Sequence, residues 1–412
     1  MKYGCIGERL GHSFSKEIHA LLADYSYELC EVKKEELDSF MTKRGFSAIN
    51  VTIPYKELVI PYLSHIDAFA KEIGAVNTVV NKDGELFGYN TDFFGMRSLI
   101  EHAGISVDGK KVVILGTGGT SKTALAVARS LGAGEFIRAG RTAKEGSLSY
   151  GEIYTSHADA DIIINTTPVG MFPAIFDTPI DLERFSNLSG VIDAVYNPLR
   201  TPLILSARKR GIPAEGGLYM LVAQAVRASE IFLDSEYPKG TLDRIYSEIY
   251  RSKENIVLTG MPASGKSTVG KILAKRLSRP FIDTDELIVK HQGKDIPAIF
   301  AEVGEEGFRD METEAVREAA AFSGAVIATG GGAVLRSENV CALSENGRIY
   351  FIDRPLDALV PTESRPLSKD RAQIERRYKE RYSIYCNTAE VKIDADTTPD
   401  GVADRILEDF CK

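Results

Sequence analysis

The segment GMPASGKST at residues 260–268 fits the phosphate-loop pattern GxxxxGK[ST] at every fixed position. It follows the apolar run IVLT at residues 256–259 and precedes a stretch of helical character, VGKILAKRL. This context matters because the backbone N–H groups of a loop between a strand and a helix can surround phosphate oxygens. We expect Lys266 to reach the β- and γ-phosphates and the Ser267 hydroxyl to hold Mg²⁺. The motif predicts a site for ATP or GTP.

A second glycine loop of a different kind lies earlier in the chain. The apolar run KVVIL at residues 111–115 leads into GTGGTS and then into a helical stretch, the arrangement of a dinucleotide site. Alone, the glycines indicate a tight turn as readily as a cofactor loop. The end of the next strand, AGRTAK at residues 139–144, carries two cations and no acid. That favours NADP over NAD, because Arg141 could pair with a 2′-phosphate; the alternative is that Arg141 is a solvated loop charge.

The bulk composition is that of a globular protein with more than one domain. At 412 residues the chain is too long for one ordinary core, and it is 44% hydrophobic and 26% charged. A net charge of −8 argues against a nucleic-acid partner. No apolar run is long enough for a membrane span or, near the start, for a secretory signal. The five cysteines lack metal or CxxC spacing, which favours free thiols in a reducing cytoplasm.

The hydrophobic pattern changes along the chain. Residues 1–100 indicate mixed strands and helices, including a strand in SAINVTIP and a hairpin turning at Asp83-Gly84. The unbroken apolar runs KVVIL, EFIRA, DIIIN and GVIDAV, separated by helical spacers, predict a parallel sheet covered on both faces. Residues 221–233 and 241–253 are predicted as helices that return to the first half, with a short junction near Glu254.

Three polar segments precede the dinucleotide loop: GHSFS at residues 11–15, NVTIPYK at 50–56, and AVNT followed by NTD at 75–92. Singly, they indicate a helix cap, a solvated lysine and a turn. Together they resemble shikimate dehydrogenase, and the resemblance continues through NTTPVGM, DAVYNP and GLYMLVAQ over about residues 1–250. Two positions depart from that family: Gly140 stands where it usually has asparagine, and Tyr219 where it usually has glycine.

The resemblance implies NADP-linked reduction of 3-dehydroshikimate to shikimate. Lys56 and Asp92 would be the catalytic pair that moves the proton at the ketone oxygen. The substrate carboxylate would be held by Ser13, Ser15 and Tyr196, and the ring hydroxyls by Thr52, Asn77 and Gln224. The NADP contacts would be Gly116, Thr117, Gly118, Gly119, Thr120, Arg141, Thr142, Val195 and Gly217.

The second half has its own set of polar residues after the phosphate loop. FIDTDELI carries Asp283 and Asp285, GEEGFR carries Arg309, and VIATGGG ends a strand in three glycines. Each has an ordinary interpretation as a cap, a surface charge or a turn. With Arg365 in a loop and Arg381 near the end, they resemble shikimate kinase over about residues 254–412.

By that resemblance Asp285 takes the 3-hydroxyl of shikimate as a catalytic residue, and Arg309 and Arg381 take its carboxylate beside Gly331. Lys266 would be catalytic, Ser267 would ligate Mg²⁺, and Asp283 would orient Ser267. The ATP contacts would be Ala263, Ser264, Gly265, Lys266, Ser267, Thr268 and Arg365. Ala263 replaces the family's usual glycine, and the lid around residues 361–368 is short and lacks an arginine that the family often carries just before it.

We therefore predict an α/β chain of three domains: a substrate-binding domain at 1–100 with returning helices at about 221–253, a Rossmann NADP-binding domain at 101–220, and a P-loop kinase domain with a parallel sheet at 254–412. It would be a cytoplasmic bifunctional enzyme of the chorismate pathway using NADP(H), ATP and Mg²⁺. The alternatives are oxidation of quinate, phosphorylation of another small hydroxy acid, or one half acting as a non-catalytic regulator. No nucleic-acid or membrane partner is expected, and a homodimer is left open.

Overall fold

The computed structural model describes residues 1–8, 10, 14–143, 146–359 and 371–411, which form an α/β structure with three sheets. The chain divides into two compact units. The first comprises Met1–Asn197 and Thr201–Ile249, and the second comprises Pro198–Arg200 and Tyr250–Lys412. The main boundary falls a few residues before the predicted junction near Glu254. The further division of the first unit into a substrate domain and a cofactor domain stays a prediction.

The first sheet of the first unit is mixed, with strand order β2-β1-β3-β5-β6-β4. The predicted hairpin is confirmed, because antiparallel β5 and β6 are joined by Asp83 and Gly84, both with positive φ, as a two-residue hairpin turn requires. Its elements are β1 (Tyr3–Gly7), α1 (Ser15–Leu22), β2 (Tyr27–Glu31), α2 (Leu37–Lys43), β3 (Ala48–Val51), β4 (His65–Ile66), α3 (Ala68–Ile73), β5 (Thr78–Lys82), β6 (Glu85–Tyr89) and α4 (Thr91–His102).

The second sheet is entirely parallel, with strand order β12-β11-β10-β7-β8-β9. Its elements are β7 (Lys111–Leu115), α5 (Gly119–Ser130), β8 (Glu135–Gly140), β9 (Leu148–Ser149), α6 (Tyr150–Ser156), β10 (Ile162–Asn165), β11 (Gly190–Asp193), α7 (Pro202–Lys209), β12 (Ala214–Glu215), α8 (Leu218–Leu233) and α9 (Thr241–Lys253). Val112 and Ile114 pack into one core, and Val113 and Leu115 into another. The sheet is therefore covered on both faces, as the unbroken apolar runs predict.

The returning helices are present where the sequence predicts them. Helix α8 packs closely on α4, since a Cβ added at Gly95 would lie 2.7 Å from the carbonyl oxygen of Met220. Helix α9 buries Ile245 and Ile249. Leu242 packs against the same core that lies under α4 and α5. These contacts fix α4, whose first turn carries Asp92.

The second unit is built on a five-stranded parallel sheet of order β14-β15-β13-β16-β17. Its elements are β13 (Asn255–Thr259), α10 (Lys266–Leu277), β14 (Phe281–Asp283), α11 (Thr284–Gln292), α12 (Ile296–Ala320), β15 (Val326–Ala328), α13 (Ser337–Asn346), β16 (Gly347–Asp353), α14 (Arg371–Thr388), β17 (Val391–Asp394) and α15 (Pro399–Phe410). A kink at Gly304 divides α12. Within the described ranges, no helix combines the length and apolarity needed to cross a membrane.

Candidate active sites in the two units

The structure joins Lys56 and Asp92 in a short ion pair. Lys56 follows β3 and Asp92 lies in the first turn of α4, with 2.6 Å between Nζ and Oδ2. Their side chains are 18% and 10% exposed. The Asn90 side chain caps α4 by accepting from the Phe93 N–H, and the helix N-terminus favours the negative charge of Asp92. The pair is thus largely buried, with its carboxylate held on a rigid element.

A buried amide and hydroxyl network lies beside this ion pair. Asn77 Oδ1 accepts from the Thr91 N–H at 2.7 Å, and its Nδ2 donates to Thr91 Oγ1 at 3.1 Å. Asn50 Nδ2 donates to Thr78 Oγ1 at 3.1 Å, while Tyr27 donates to Asn50 Oδ1 at 2.7 Å. Asn77 therefore positions the start of α4. Asn50 was not predicted as a site residue. It could have been recognised in the sequence as an amide side chain within an otherwise apolar strand.

The segment that carries Tyr196 lies close to the start of α1. The Tyr196 ring packs edge-on against Phe14, with 5.3 Å between ring centroids, and burial raises the pKa of its hydroxyl. Ser15, the first residue of α1, is buried. Ser13 lies outside the described residues. The structure therefore brings together two of the three residues predicted to hold the substrate carboxylate.

The residues predicted to hold ring hydroxyls come from three elements. Thr52 is half-buried directly after β3, on the segment that leads to Lys56. Gln224 lies on α8, where its Nε2 donates to the Leu221 carbonyl at 2.9 Å. A Cβ added at Gly95, one turn after Asp92, would lie 3.1 Å from the Gln224 Cβ. Gln224 is thus adjacent to the helix that carries Asp92.

The dinucleotide loop has the open surface that a pyrophosphate needs. Gly116, Thr117, Gly118, Gly119 and Thr120 connect β7 to the first turn of α5. Gly116 has a φ of 117°, and a Cβ there would meet Thr166. At Gly118 and Gly119 a Cβ would meet nothing within 4 Å, so a ligand can approach the main chain and the α5 N-terminus. The loop therefore fits the cofactor.

The other predicted cofactor residues lie at two places. Arg141 and Thr142 are exposed after β8. The Gly217 N–H donates to the Val195 carbonyl at 2.8 Å, and a Cβ at Gly217 would overlap the Ala194 carbonyl. This close approach fixes the main chain at Val195 and explains the need for glycine at position 217.

Asp193 organises the segment that carries Val195 and Tyr196, and the sequence did not predict it as a site residue. Its buried carboxylate accepts from Asn165 Nδ2 at 2.9 Å, from the Val195 N–H at 3.0 Å and from Thr201 Oγ1 at 2.6 Å. Burial raises its pKa to about 6. The sequence signal is a polar residue at the ends of two adjacent apolar strands, β10 and β11.

The structure shows the surroundings of two residues that depart from the family pattern. The Tyr219 ring stacks on His102, with 3.8 Å between centroids, and its hydroxyl donates to Asp243 at 2.7 Å. The side chain therefore packs among α4, α8 and α9. At Gly140, a Cβ would have Thr117 Cγ2 at 3.7 Å, so the end of β8 lies beside the glycine loop.

The phosphate loop of the second unit has the predicted backbone shape. Lys266 Nζ donates to the carbonyls of Gly260 and Met261 at 2.9 and 3.0 Å. The Ser264 hydroxyl is buried and has no hydrogen-bond partner among the described residues. An anion cradled by the loop would supply one, so the loop fits a nucleotide phosphate. Ala263 has a φ of 66° and Gly265 a φ of 96°, both in the left-handed region.

Ser267 and Asp283 form a pair of oxygen groups suited to Mg²⁺. Ser267 Oγ donates to Asp283 Oδ2 at 2.6 Å. The other oxygen of Asp283 accepts from the Asp285 and Glu286 N–H groups, which caps α11. Hydroxyl and carboxylate oxygens are the ligands that Mg²⁺ prefers, so these residues fit the ion. Thr268 is exposed on the first turn of α10.

Side chains from other elements pack directly against three consecutive glycines, Gly330, Gly331 and Gly332. A Cβ at Gly330 would lie 2.7 Å from Asp285 Oδ1 and would also touch Glu312. At Gly332 it would overlap the Arg309 guanidinium, and at Gly331 it would lie 2.9 Å from Pro262 in the phosphate loop. The absence of side chains therefore lets the polar groups and the phosphate loop converge.

Two buried arginines complete this cluster. Arg309 donates to Glu312 at 2.6 Å, and burial raises the pKa of Glu312 although Arg309 opposes that shift. Arg381 donates to the Gly331 carbonyl at 3.2 Å, and Tyr385 donates to the same oxygen. The structure thus brings Asp285, Arg309, Gly331 and Arg381 together. Glu312, which orients Arg309, was not predicted as a site residue, and Arg365 lies outside the described residues.

The fold and the two sites define a two-part enzyme, a dinucleotide-dependent dehydrogenase followed by a phosphate-loop kinase. Residues 5–79 match the family model for the shikimate dehydrogenase substrate binding domain, and residues 262–411 match the model for shikimate kinase. The chain belongs to the shikimate dehydrogenase family over its N-terminal part and carries a shikimate kinase domain after it. The fusion predicted from the sequence is confirmed.

Similar proteins cover the first unit. A shikimate dehydrogenase (NADP(+)) from Clostridium perfringens is 36% identical over 265 residues, which span 60% of this chain and 97% of the relative. The crystal structure of shikimate dehydrogenase 1 from Peptoclostridium difficile is 38% identical and covers 60% of this chain and 98% of its own, with a TM-score of 0.56. Shikimate 5-dehydrogenase from Thermus thermophilus, in complex with NADP(H) and shikimate, is 26% identical, covers 60% and 99%, and has a TM-score of 0.55.

Proposed function

We propose that the chain carries out two consecutive reactions: NADPH-dependent reduction of 3-dehydroshikimate to shikimate, and ATP-dependent phosphorylation of shikimate to shikimate 3-phosphate. The observation that carries the proposal is the largely buried Lys56–Asp92 pair at 2.6 Å in a unit that is followed by a shikimate kinase domain. The product of the first reaction is the substrate of the second, which gives both halves one common ligand.

In the first unit, Lys56 is the proton donor to the substrate oxygen. Bound NADPH supplies a hydride to the ketone carbon, and the alkoxide that develops needs a nearby acid. Asp92 holds the ammonium in place, and its own position is fixed by the cap and N-terminus of α4. Ser13, Ser15 and Tyr196 bind the carboxylate, while Thr52, Asn77 and Gln224 bind ring hydroxyls.

The cofactor is held by the main chain and by one cation. The open glycine loop at Gly118 and Gly119 takes the pyrophosphate against the α5 N-terminus. Arg141, exposed at the end of β8, pairs with the 2′-phosphate, with Thr142 beside it. Val195 and Gly217, joined by a main-chain hydrogen bond, contact the nicotinamide end.

In the second unit, the charge of the transferring phosphoryl group is offset by Lys266, with Arg365 acting from the lid. Ser267 would ligate Mg²⁺, and Asp283 would orient the Ser267 hydroxyl. Asp285 accepts the hydrogen bond of the acceptor hydroxyl. The carboxylate of shikimate is held by Arg309 and Arg381, since guanidinium groups bind carboxylates through paired hydrogen bonds.

The partners we propose are these small molecules, with neither nucleic acid nor membrane, and a homodimer is the assembly to be tested. A cytoplasmic location is supported by the five free cysteines, which a reducing compartment keeps as thiols.

The test supplies 3-dehydroshikimate, NADPH, Mg²⁺ and ATP in one tube and follows NADPH consumption and ADP formation together. Lys56→Ala should abolish both signals, and added shikimate should restore ADP formation alone. Lys266→Ala should leave NADPH consumption intact and remove ADP formation. Faster turnover with quinate than with shikimate would instead favour the quinate alternative.

A further inference from the structure

An arginine that neither resemblance assigns lies beside the phosphate loop of the second unit. Strands β13 and β16 are parallel neighbours, with Thr259 paired to Phe351. The segments that follow them leave the sheet side by side, because a Cβ at Gly260 would lie 2.7 Å from the Ile352 carbonyl oxygen. Arg354 is the first residue after β16. It therefore emerges at the edge of the sheet from which the phosphate loop begins.

The guanidinium of Arg354 points at the turn between the phosphate loop and α10. A Cβ built on Gly265, whose φ is 96°, would have Arg354 Nη1 as its nearest neighbour, at 3.9 Å. The guanidinium is anchored from the other side, since Nε donates to the Ala358 carbonyl at 3.1 Å. The side chain is half-buried and so is held in place rather than extended into solvent. Its Nη1 faces the N-terminal turn of α10.

The acids closest to Arg354 in sequence are paired with other cations. Asp353 binds Lys392 at 2.9 Å, and Asp357 binds Arg371 at 2.7 Å. Among the described residues, no carboxylate lies within 4.0 Å of the Arg354 guanidinium. Its charge therefore adds to the positive end of α10 and to Lys266 instead of being cancelled locally. A site with these features attracts a polyanion.

We propose that Arg354 is a phosphate-binding residue of the kinase nucleotide site, contacting the phosphates of ADP and ATP beside Gly265. This inference rests on the proposed function of the second unit. It gives the phosphate loop a second cation supplied by the neighbouring strand. Arginine suits the role because its planar fork can donate two hydrogen bonds to one phosphate.

The experiment measures ADP binding to the full-length chain by titration calorimetry and the KM values for ATP and shikimate. Arg354→Ala should weaken ADP binding and raise the KM for ATP about tenfold or more, the size expected for a charged hydrogen bond. The KM for shikimate should change less than twofold. Dehydrogenase activity of the same preparation shows whether the first unit is intact. The unfolding transition of the kinase unit in scanning calorimetry shows whether the second unit is folded.

Two further variants separate a phosphate contact from a structural effect. Arg354→Lys keeps the charge but loses the planar fork and the Nε bond to Ala358. Its ADP affinity should therefore fall between those of the unsubstituted chain and Arg354→Ala. Arg376→Ala removes an arginine with an 82% exposed side chain and should leave ADP binding unchanged. If Arg354→Ala binds ADP within twofold of the unsubstituted chain, or if Arg354→Lys is as weak as Arg354→Ala, the inference is wrong. If the unsubstituted chain fails to bind ADP, the proposed nucleotide site fails with it.

Discussion

The Ser267 hydroxyl and the Asp283 carboxylate are joined by a hydrogen bond of 2.6 Å, and the same carboxylate caps α11 with its other oxygen. One side chain thereby sets the position of Ser267, the proposed metal ligand, and the start of the helix that carries Asp285. The proposed orientation of Ser267 by Asp283 can be separated from its capping of α11, because asparagine is also a good helix cap.

Asp283→Asn should keep the α11 cap but lose the charge that orients Ser267 and attracts Mg²⁺. We expect kinase kcat to fall about 10- to 100-fold, the loss typical of a removed outer partner of a metal ligand. Asp283→Ala should lose as much activity and, in addition, about 1 kcal/mol of stability from the missing cap. The measurements are the Mg²⁺ dependence of ADP formation and calorimetric unfolding. Equal Mg²⁺ dependence in Asp283→Asn and the unsubstituted chain would contradict the metal role.

Lys56→Ala should lower the kcat of the dehydrogenase by at least ~100-fold, because the alkoxide loses its proton donor. Binding of NADPH, measured by fluorescence titration, should be nearly unchanged, since Lys56 is not among the proposed cofactor contacts. Kinase activity of the same preparation is the internal control. Near-normal reduction of 3-dehydroshikimate by this variant would refute the assigned role.

Ala263→Gly should stabilise the second unit by about 0.5–1 kcal/mol, because Ala263 has a φ of 66°, a conformation that is unfavourable for a residue with a Cβ and natural for glycine. The matched control is the reverse exchange at Gly265, whose φ is 96°; Gly265→Ala should destabilise the unit. The readout is the calorimetric transition that shifts on addition of ADP. A lower transition temperature for Ala263→Gly would show that position 263 is not strained.

Stability of the second unit should fall as the pH rises because of Glu345. This residue of α13 is fully buried, neither carboxylate oxygen has a hydrogen-bond partner among the described residues, and burial raises its pKa to about 9. The unfolded chain ionises it near its ordinary value of about 4.3, whereas the folded chain does so only near pH 9. Between those values the folded state binds more protons, so each rise in pH favours unfolding.

Glu345→Gln removes that titration. Its stability relative to the unsubstituted chain should be similar at about pH 4.5 and should increase between about pH 5 and pH 8.5, by at least about 1 kcal/mol. Glu338→Gln, on the same helix but with a 50% exposed side chain, is the control and should show no such trend. A difference that stays constant over this pH range would contradict the assignment.

Local sequence predicted the strands and loops, and the resemblances predicted which residues meet. The four apolar runs became strands of one parallel sheet because unbroken hydrophobic stretches can only be buried on both faces. Most of the residues that escaped prediction act through contacts distant in sequence, although Glu312 pairs with Arg309 one helical turn away. Asn50 and Asp193 are polar groups on buried strands, Glu312 is a helical acid, and Arg354 follows a strand; sequence alone does not distinguish these from ordinary caps and surface charges.

The surroundings of Tyr219 could not be predicted from the sequence either. A large ring in place of the family's usual glycine suggests crowding at the cofactor. The structure instead stacks that ring on His102 and bonds its hydroxyl to Asp243, so the outcome depended on which neighbours α9 supplies.

The three glycines at 330–332 set a boundary for redesign of the kinase half. A methyl group added at any of the three would collide with a side chain from another element of the unit. None of the three glycines can therefore be replaced by even the next larger residue without moving its neighbours. A redesign of the kinase half for another acceptor molecule would therefore substitute the side chains that fill this space, at Asp285, Arg309 or Glu312. The three glycines would be kept.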